Sequence, residues 1–360
     1  MPKIRVALIG VGNCASAIVQ GIQYYRNIDE EREAIGLRHL YLGGYHPRDI
    51  EVVCAFDVEA GKVGRDLSEA IFSPPNNARR FAEIPKLNVK VLRGPLMDGI
   101  SETLRGEVKI DYSKEVDVAQ SLKESEAEIA INLLPSGSID APKRYAEESL
   151  RAGCAFINAT PTRIASDPLW IHRFNEAGLP IIGDDLTDQV GATILHKTLL
   201  KMLSERGIHV SETYQLDVGG GTESLDTLER ARDVKRWIKT ESIRAVLPYE
   251  ASIIAGSTDY VDFLGNRRDS YFWLRGLYFG GTPLYLDIKL STFDAPNAGS
   301  VMMDVIRATK IALERGDSGH ILPISAYAFK RPVKIIPPDE ADRLFEEYIG
   351  GDDMEHHPPQ

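Results

Sequence analysis

Cysteine, basic charge and long apolar runs are all scarce in this sequence. Its 360 residues include three cysteines, which are scattered singly and match no zinc-binding spacing. We interpret Cys54 and Cys154 as small core residues, and the lack of paired cysteines favours a reducing, cytoplasmic compartment. The net charge of −11 argues against a nucleic-acid partner. No run approaches the roughly 20 apolar residues of a membrane span, so no membrane partner is expected.

Short apolar runs alternate with helical segments through the first 190 residues. The strand-like runs are residues 4–10, 51–57, 128–135, 154–161 and 179–185. Each run ends in a loop rich in Gly, Pro, Asn or Asp, and helical patterns follow. This alternation predicts an α/β fold with a doubly wound, Rossmann-type parallel sheet. Residues 188–207 then predict one long amphipathic helix that Asp188 can cap.

The character of the sequence changes after residue 207. Residues 208–294 alternate like strands around one basic helical stretch, LERARDVKRWIK. This pattern predicts a second α+β domain with an open mixed or antiparallel sheet. Residues 299–316 again predict a helix, and the tail over residues 351–360 is expected to be disordered.

The first strand runs directly into GVGNCA, residues 10–15, at the start of a helix. In this GxGxxA pattern Gly10 permits a tight turn, Gly12 lets a pyrophosphate approach the backbone, and Ala15 allows close helix–strand packing. The N-terminus of the helix supplies free N–H groups for the phosphates. The pattern therefore predicts a dinucleotide site.

Asp57, at the end of the second strand, is a candidate for binding the adenosine ribose. It lies much further along than the roughly 20 residues usual for this acid, which implies an insertion over residues 26–50. A helix cap or turn residue is the alternative. LLPSGS (133–138) and NATP (158–161) leave strands at the same sheet edge, either as ligand-binding loops or as ordinary turns.

Lysines form the second pattern in the sequence. Lys235 and Lys239 are four residues apart and share one helix face, either as a solvated basic surface or converging on an anion. Lys289 lies on the polar face of the strand LYLDIKLSTF. Alternation alone favours solvent around its ammonium group, because lysine is seldom buried. The floor of a pocket is the alternative.

The chain resembles a myo-inositol-1-phosphate synthase of the archaeal and bacterial branch. The matching segments occur in the expected order over nearly the whole chain: VALIGVGNCASAIVQGIQYY, CAFDVEAGKVGRDLSEAIF, IASDPLW, GDDLTDQVGATI, LERAR, DAPNAG and SAYAFK. The resemblance implies NAD-dependent cyclisation of D-glucose 6-phosphate to 1L-myo-inositol 1-phosphate. The sugar is oxidised at C5, enolised at C6, closed by an aldol reaction at C1 and reduced again at C5.

The resemblance also implies domains, assembly and site residues. Residues 1–200 with 295–350 would bind NAD, and residues 201–294 would catalyse and hold a homotetramer together. The catalytic residues implied are Lys235, Lys239, Lys289, Lys330, Asp185 and Asp294. The cofactor-binding candidates are Gly10, Gly12, Asn13, Cys14, Ala15, Asp57, Asp66, Pro135, Ser136, Tyr145, Thr160, Asp188 and Glu223. Asp66 competes with Asp57 for the ribose, Lys289 would face a pocket, and Lys289→Ala would abolish activity.

Two segments depart from the family pattern. GDDLTDQ stands where the family tends to read GDDxKSQ, and DVGGGTE where it tends to read NVGGNxD. Asp184, Asp185 and Asp188 could together bind a divalent metal ion, with a helix cap as the alternative for Asp188. The departures leave open a non-catalytic NAD-binding paralogue. A plain NAD-dependent dehydrogenase of a phosphorylated sugar is a further alternative, although such an enzyme would not need the four lysines.

Overall fold

Two β-sheets organise the computed structural model, which describes residues 3–98 and 100–350. The predicted disordered tail lies outside the described residues. The strands are β1 (Ile4–Ile9), β2 (Ile50–Asp57), β3 (Val91–Arg93), β4 (Ile129–Asn132), β5 (Ala155–Asn158), β6 (Pro180–Gly183), β7 (His209–Gly219), β8 (Ser252–Tyr260), β9 (Arg267–Tyr278), β10 (Thr282–Phe293) and β11 (Gly319–His320). The helices are α1 (Asn13–Tyr24), α2 (Leu67–Ala70), α3 (Val118–Glu124), α4 (Asp140–Ala152), α5 (Pro168–Glu176), α6 (Ala192–Glu205), α7 (Thr222–Asp226), α8 (Arg232–Arg244), α9 (Asp294–Arg315), α10 (Leu322–Ala328) and α11 (Pro338–Gly350).

The first sheet has seven strands in the order β11-β6-β5-β4-β1-β2-β3. Every neighbouring pair in it is parallel. The strand order reverses between β4 and β2, on either side of β1, and ligands of such sheets bind in the crevice at this reversal. The predicted Rossmann-type doubly wound sheet is confirmed.

Helices cover both faces of this sheet, which explains why its inner strands are mostly apolar rather than alternating. Ile4, Val6 and Leu8 of β1 pack on one face with α1 and α9, whereas Ala7 and Ile9 pack on the other with α4 and α5. Helix α9 thus returns to the first sheet after the chain has completed the second.

The second sheet has the order β10-β9-β7-β8 and is mixed, as predicted: β7 and β8 are parallel, and the other pairs are antiparallel. Its inner face packs against α6 and α8 through a cluster that includes Leu200, Ile243, Val210 and Leu274. Its outer face carries partly exposed aromatic residues, Tyr214, Tyr271 and Tyr285 among them.

One helix boundary differs from the prediction. Helix α6 begins at Ala192 with Gly191 as its N-cap, so Asp188 precedes the helix and does not cap it. The segment before Gly191 is held by Asn297, whose side chain accepts from the backbone N–H of Val190 at 3.0 Å. In the part of the chain that the structure describes, no helix is long and apolar enough to cross a membrane.

Candidate functional site

A cavity lies at the carboxyl ends of β1, β2, β4, β5 and β6 and is closed by the second sheet and α8. Most of the residues predicted from the sequence line it: Gly10, Gly12, Asn13, Cys14, Asp57, Pro135, Ser136, Tyr145, Thr160, Asp185, Asp188, Glu223, Lys235, Lys239, Asp294 and Lys330. The structure places four others elsewhere: Ala15, Asp66, Asp184 and Lys289.

The glycine loop has the geometry that close approach of a ligand requires. Gly10 has a φ of +92°, and a Cβ there would lie 3.1 Å from the backbone oxygen of Leu133. A Cβ on Gly12 would meet nothing within 4 Å, so its backbone borders open space in the cavity. Ala15 is fully buried in the core, consistent with close helix–strand packing. These features fit a dinucleotide pyrophosphate at the N-terminus of α1.

Asp57 and Asp66 occupy different environments. Asp57 lines the cavity, and its Oδ2 accepts from the backbone N–H of Val11 at 2.8 Å. Asp66 is the N-cap of α2 and accepts from the backbone N–H of Ser68 at 3.0 Å. The proposed competition for the ribose is therefore corrected: Asp66 caps a helix, and a capping-box spacing to Glu69 was visible in the sequence.

Carboxylates of the second domain hold the loop that follows β4. Glu223 accepts hydrogen bonds from the backbone N–H of Ser136, at 3.1 Å, and from its hydroxyl group. Asp226 accepts from the backbone N–H of Gly137 at 2.8 Å and from Arg230 Nε at 2.7 Å. Burial raises the pKa of Glu223. The two domains therefore meet across this wall of the cavity.

Lys235 and Lys330 converge on Asp185. Their Nζ atoms lie 2.8 Å and 3.6 Å from its Oδ1. Lys330 reaches the site because its backbone N–H donates to the carbonyl oxygen of Asp185 at 2.8 Å, which fastens residue 330 to the end of β6. Burial acts to raise the pKa of Asp185, but the two ammonium groups outweigh it and hold the pKa below its usual range.

Lys239 has a carboxylate partner of its own, Asp217, which the sequence analysis did not assign to the site. Their Nζ and Oδ2 atoms are 2.5 Å apart. Burial lowers the pKa of Lys239 despite this partner, whereas Asp185 and Glu223 overcome burial and raise the pKa of Lys235. Two lysines one helical turn apart therefore differ in how readily each loses its proton.

Arg268 is the second residue that the sequence analysis missed. Its guanidinium group binds Asp294 through two hydrogen bonds, both 2.8 Å, and also lines the cavity. Arg268 pairs with Thr292 in the sheet and shares the inner face with Phe272 and Leu274. The sequence did show that Arg268 alternates with the same register as the apolar residues of its strand, and this pattern could have indicated a charged side chain on the buried face.

Lys289 does not face the cavity, and the prediction that it does is corrected. Its side chain is 52% exposed, and its Nζ lies 3.1 Å from Asp269 and 5.5 Å from the ring centroid of Tyr271. Residues opposite each other on neighbouring strands share a face, and Lys289 is opposite Tyr271. That face is the outer one, whereas the cavity uses the inner face.

The three metal-ligand candidates do not form a common site. Asp184 is fully buried, and its carboxylate accepts from the Asn158 side chain and from three successive backbone N–H groups over residues 164–166. The carboxylate of Asp185 forms an ion pair with Lys235. Asp188 lines the cavity, and burial raises its pKa. Among residues 3–98 and 100–350, no group of three or more His, Cys, Asp and Glu side chains is arranged to hold a metal ion.

The chemistry that this site permits follows from its charges. Four ammonium groups (Lys62, Lys235, Lys239 and Lys330) and two guanidinium groups (Arg230 and Arg268) line one cavity beside a glycine loop. Each is paired with a carboxylate, so the positions of the cations are organised before any ligand arrives. Such a site stabilises anions and oxygen atoms that become negative during a reaction.

Comparisons with known proteins identify the family. A family model described as myo-inositol-1-phosphate synthase matches residues 191–295, from the N-cap of α6 to the first turn of α9. The inositol-3-phosphate synthase of Mycobacterium tuberculosis (strain CDC 1551 / Oshkosh) is 44% identical over 353 residues, covering 97% of this chain and 96% of that protein. The inositol-3-phosphate synthase of Corynebacterium glutamicum is 42% identical over 355 residues, covering 96% and 98%.

Solved structures agree with this assignment. The crystal structure of Ari2 superimposes with a TM-score of 0.79 at 30% identity and covers 97% of this chain and 98% of that chain. The inositol-3-phosphate synthase of Caenorhabditis elegans has a TM-score of 0.76 at 14% identity, covering 100% and 90%, and shows a shared fold. Because relatives 42–44% identical extend over nearly the whole chain, this protein belongs to the myo-inositol-1-phosphate synthase family.

Proposed function

We propose that this protein is an inositol-phosphate synthase that converts D-glucose 6-phosphate to 1L-myo-inositol 1-phosphate with NAD and no net redox change. The observation that carries this proposal is the group of three lysines and Arg268 beside the glycine loop. A dehydrogenase that only moves a hydride needs no such set of buried lysines paired with carboxylates. The relatives named inositol-3-phosphate synthase support the same activity.

We place NAD in the half of the cavity that the first sheet builds. The backbone of Gly12 and the N-terminus of α1 would hold its pyrophosphate, Asp57 would accept from its adenosine ribose, and Ser136 and Thr160 would border its nicotinamide end. When bound, NAD accepts a hydride from C5 of the sugar and later returns it. The metal ion considered from the sequence plays no part in this proposal.

The cationic side chains would serve the oxygen atoms of the sugar. Enolisation places negative charge on O5, and ring closure places it on O1. Fixed ammonium groups such as Lys235 and Lys330 stabilise these oxygens, each contributing about 3–4 kcal/mol to the barrier in a dry site. Arg268 offers a planar group of N–H donors, which suits the phosphate of the substrate.

Lys239 is the best candidate for moving the C6 proton. Burial lowers its pKa, whereas the pKa of Lys235 is raised, so Lys239 is the more easily converted to a base of the two α8 lysines, and general bases act best with a pKa near the working pH. Asp185 Oδ2 and Asp217 Oδ1 are buried and find no hydrogen-bond partner among the described residues. We propose that both accept hydroxyl groups of the sugar, because buried acceptors are seldom left unpaired.

The function is tested with purified protein, glucose 6-phosphate and NAD. Inositol phosphate should accumulate in phosphorus NMR spectra while absorbance at 340 nm shows no net NADH. Stoichiometric NADH would instead establish a simple dehydrogenase. Bound NAD with neither signal would establish a non-catalytic relative.

We also propose that residues 1–200 with 295–350 form the NAD-binding domain, that residues 201–294 form the catalytic and oligomerisation domain, and that four copies associate. The support is the open outer face of the second sheet, where Tyr214, Trp273 and Tyr285 form a row with ring centroids 5.7 Å and 6.3 Å apart. Exposed apolar patches of this kind mark protein interfaces. Light scattering should give four times the mass of the 39.9 kDa chain, and a monomer mass would refute the tetramer.

A further inference from the structure

A row of buried polar side chains leads from Lys239 into the second domain. Asp217 Oδ2 accepts from Lys239 Nζ at 2.5 Å and from Gln215 Nε2 at 2.9 Å. Gln215 Oε1 lies 3.3 Å from His196 Nδ1, and His196 Nε2 lies 2.8 Å from Thr213 Oγ1. Gln215, Asp217 and His196 are each at most 1% exposed. The row therefore joins α6, β7 and α8 without solvent.

The donors in this row converge on Asp217, which accepts from Lys239 at one end and from Gln215 on the side of His196. An ionised carboxylate only accepts, so Gln215 presents its N–H₂ group to Asp217 and its carbonyl oxygen to His196. His196 Nδ1 must then carry a proton. Burial lowers the pKa of His196 to about 4, so the ring is neutral at pH 7 and its Nε2 is an acceptor. The Thr213 hydroxyl has one proton and two acceptors within reach, this Nε2 and the backbone oxygen of Trp273, each 2.8 Å away.

We propose that His196 and Gln215 are positioning residues: they fix the orientation of Asp217, and through it the position of the Lys239 ammonium group, for the cyclisation. This inference rests on the proposed function. The Gln215 amide fastens the oxygen of Asp217 that also holds Lys239, and the other oxygen, Oδ1, is buried and finds no hydrogen-bond partner among the described residues. Without that amide, Asp217 can exchange its two oxygens by rotation, and Lys239 loses its fixed partner.

Stability alone is a poor explanation for the buried row of His196, Gln215 and Asp217. Replacing buried polar pairs by well-packed apolar side chains is often neutral or stabilising, so stability alone does not account for this row. The row also ends on a residue proposed to act on the substrate, rather than within the core that α6 and α8 share.

The test compares His196→Leu, His196→Asn and Gln215→Met in the full-length protein. His196→Leu and Gln215→Met should each lower kcat roughly 10- to 100-fold, the loss expected when a hydrogen bond supporting a charged group is removed. KM for glucose 6-phosphate should change far less. The double variant should be no worse than either single one, because both break the same row. His196→Asn keeps a donor near Nδ1 and should recover most of the activity.

Several outcomes would overturn the inference. Unchanged kcat in Gln215→Met would do so, as would equal losses in the leucine and asparagine variants of His196, which would point to ring packing. His172→Leu, at a side chain that is 66% exposed, serves as the control and should match wild type. If His196→Leu fails to fold, Gln215→Met decides the matter.

A spectroscopic measurement separates this inference from the proposed function. Nitrogen-15 shifts of His196 should show a neutral ring protonated at Nδ1, whether or not the protein makes inositol phosphate. Protonation at Nε2 would refute the order of donors. A wild-type protein that lacks synthase activity yet shows the Nδ1 proton would refute the function and leave the geometry standing.

Discussion

Replacing Lys235 with methionine should lower kcat for inositol phosphate formation by roughly 10²- to 10³-fold, the loss typical of removing one fixed group that stabilises an oxyanion. Methionine keeps much of the side-chain volume and removes the charge. Asp185 retains Lys330, whose Nζ lies 3.6 Å away, so the buried carboxylate keeps a partner and the fold should persist. Turnover is measured by phosphorus NMR, and NAD affinity, which should stay near wild type, by titration.

Lys289→Met is the matched control. It makes the same chemical change on the outer face of β10, where the side chain is 52% exposed in one copy. Light scattering should show that the proposed association of four copies is kept, and in that case a surface change alters free energies by only about 0.5 kcal/mol. Activity should therefore stay within roughly twofold of wild type. A loss as large as that of Lys235→Met would contradict the structure and support the placement of Lys289 in a site that several copies complete together.

Asp184→Ala should lower the free energy of unfolding by about 3–5 kcal/mol, because buried donors left without an acceptor are costly. The carboxylate accepts from Asn158 Nδ2 at 2.6 Å, from the backbone N–H groups of Ile164, Ala165 and Ser166, and from the Ser166 hydroxyl at 2.8 Å. Alanine removes the carboxylate and leaves all of these buried donors without their acceptor. Urea unfolding followed by circular dichroism measures the change.

Asp167→Ala provides the comparison for Asp184. Asp167 is the N-cap of α5 and accepts from the backbone N–H of Leu169 at 2.9 Å, so its loss should cost only about 1 kcal/mol. Equal effects of the two changes would show that water replaces the Asp184 carboxylate. If a chelator destabilised the wild-type protein as much as Asp184→Ala does, the role of Asp184 as a metal ligand would be restored.

The first sheet, and the edge of it that borders the cavity, could be predicted from local sequence. The glycine loop, residues 10–15, needs a tight turn and an exposed backbone, and both needs are met by residue types within one segment. The same holds for the apolar runs of β1 and β4, since a strand buried on both faces is apolar throughout. Asp57 was found because it ends such a strand.

Arg268 could not be found in the same way. Alternation within β10 places Lys289 opposite its apolar neighbours but does not say which face of the sheet meets the first domain. That depends on the pairing of β10 with β9 and on the helices that cover one side. Arg268 occupies the inner face near the cavity, and its phase with Phe272 and Leu274 becomes informative only once that side is known.

Carboxylates were equally hard to assign from sequence. Asp66 caps a helix, Asp184 accepts donors from a distant loop, and Asp185, its neighbour in sequence, faces two lysines. The chemical group is the same in all three. What differs is where the donors lie: Asp66 accepts from Ser68, two residues along, whereas the donors to Asp184 and Asp185 lie 18 to 50 residues away or further and are brought in by tertiary structure.

The attachment of residue 330 to the end of β6 has a consequence for synthesis of the protein. Asp185 leaves the ribosome well before Lys330, and the whole second sheet is made between them. Domains fold as units, N-terminal segments first. The first sheet is itself completed late, because α9, which packs on β1, and the edge strand β11 both follow the second sheet in the chain. A nascent chain therefore lacks both part of its first core and the ammonium group of Lys330 until its last helices emerge.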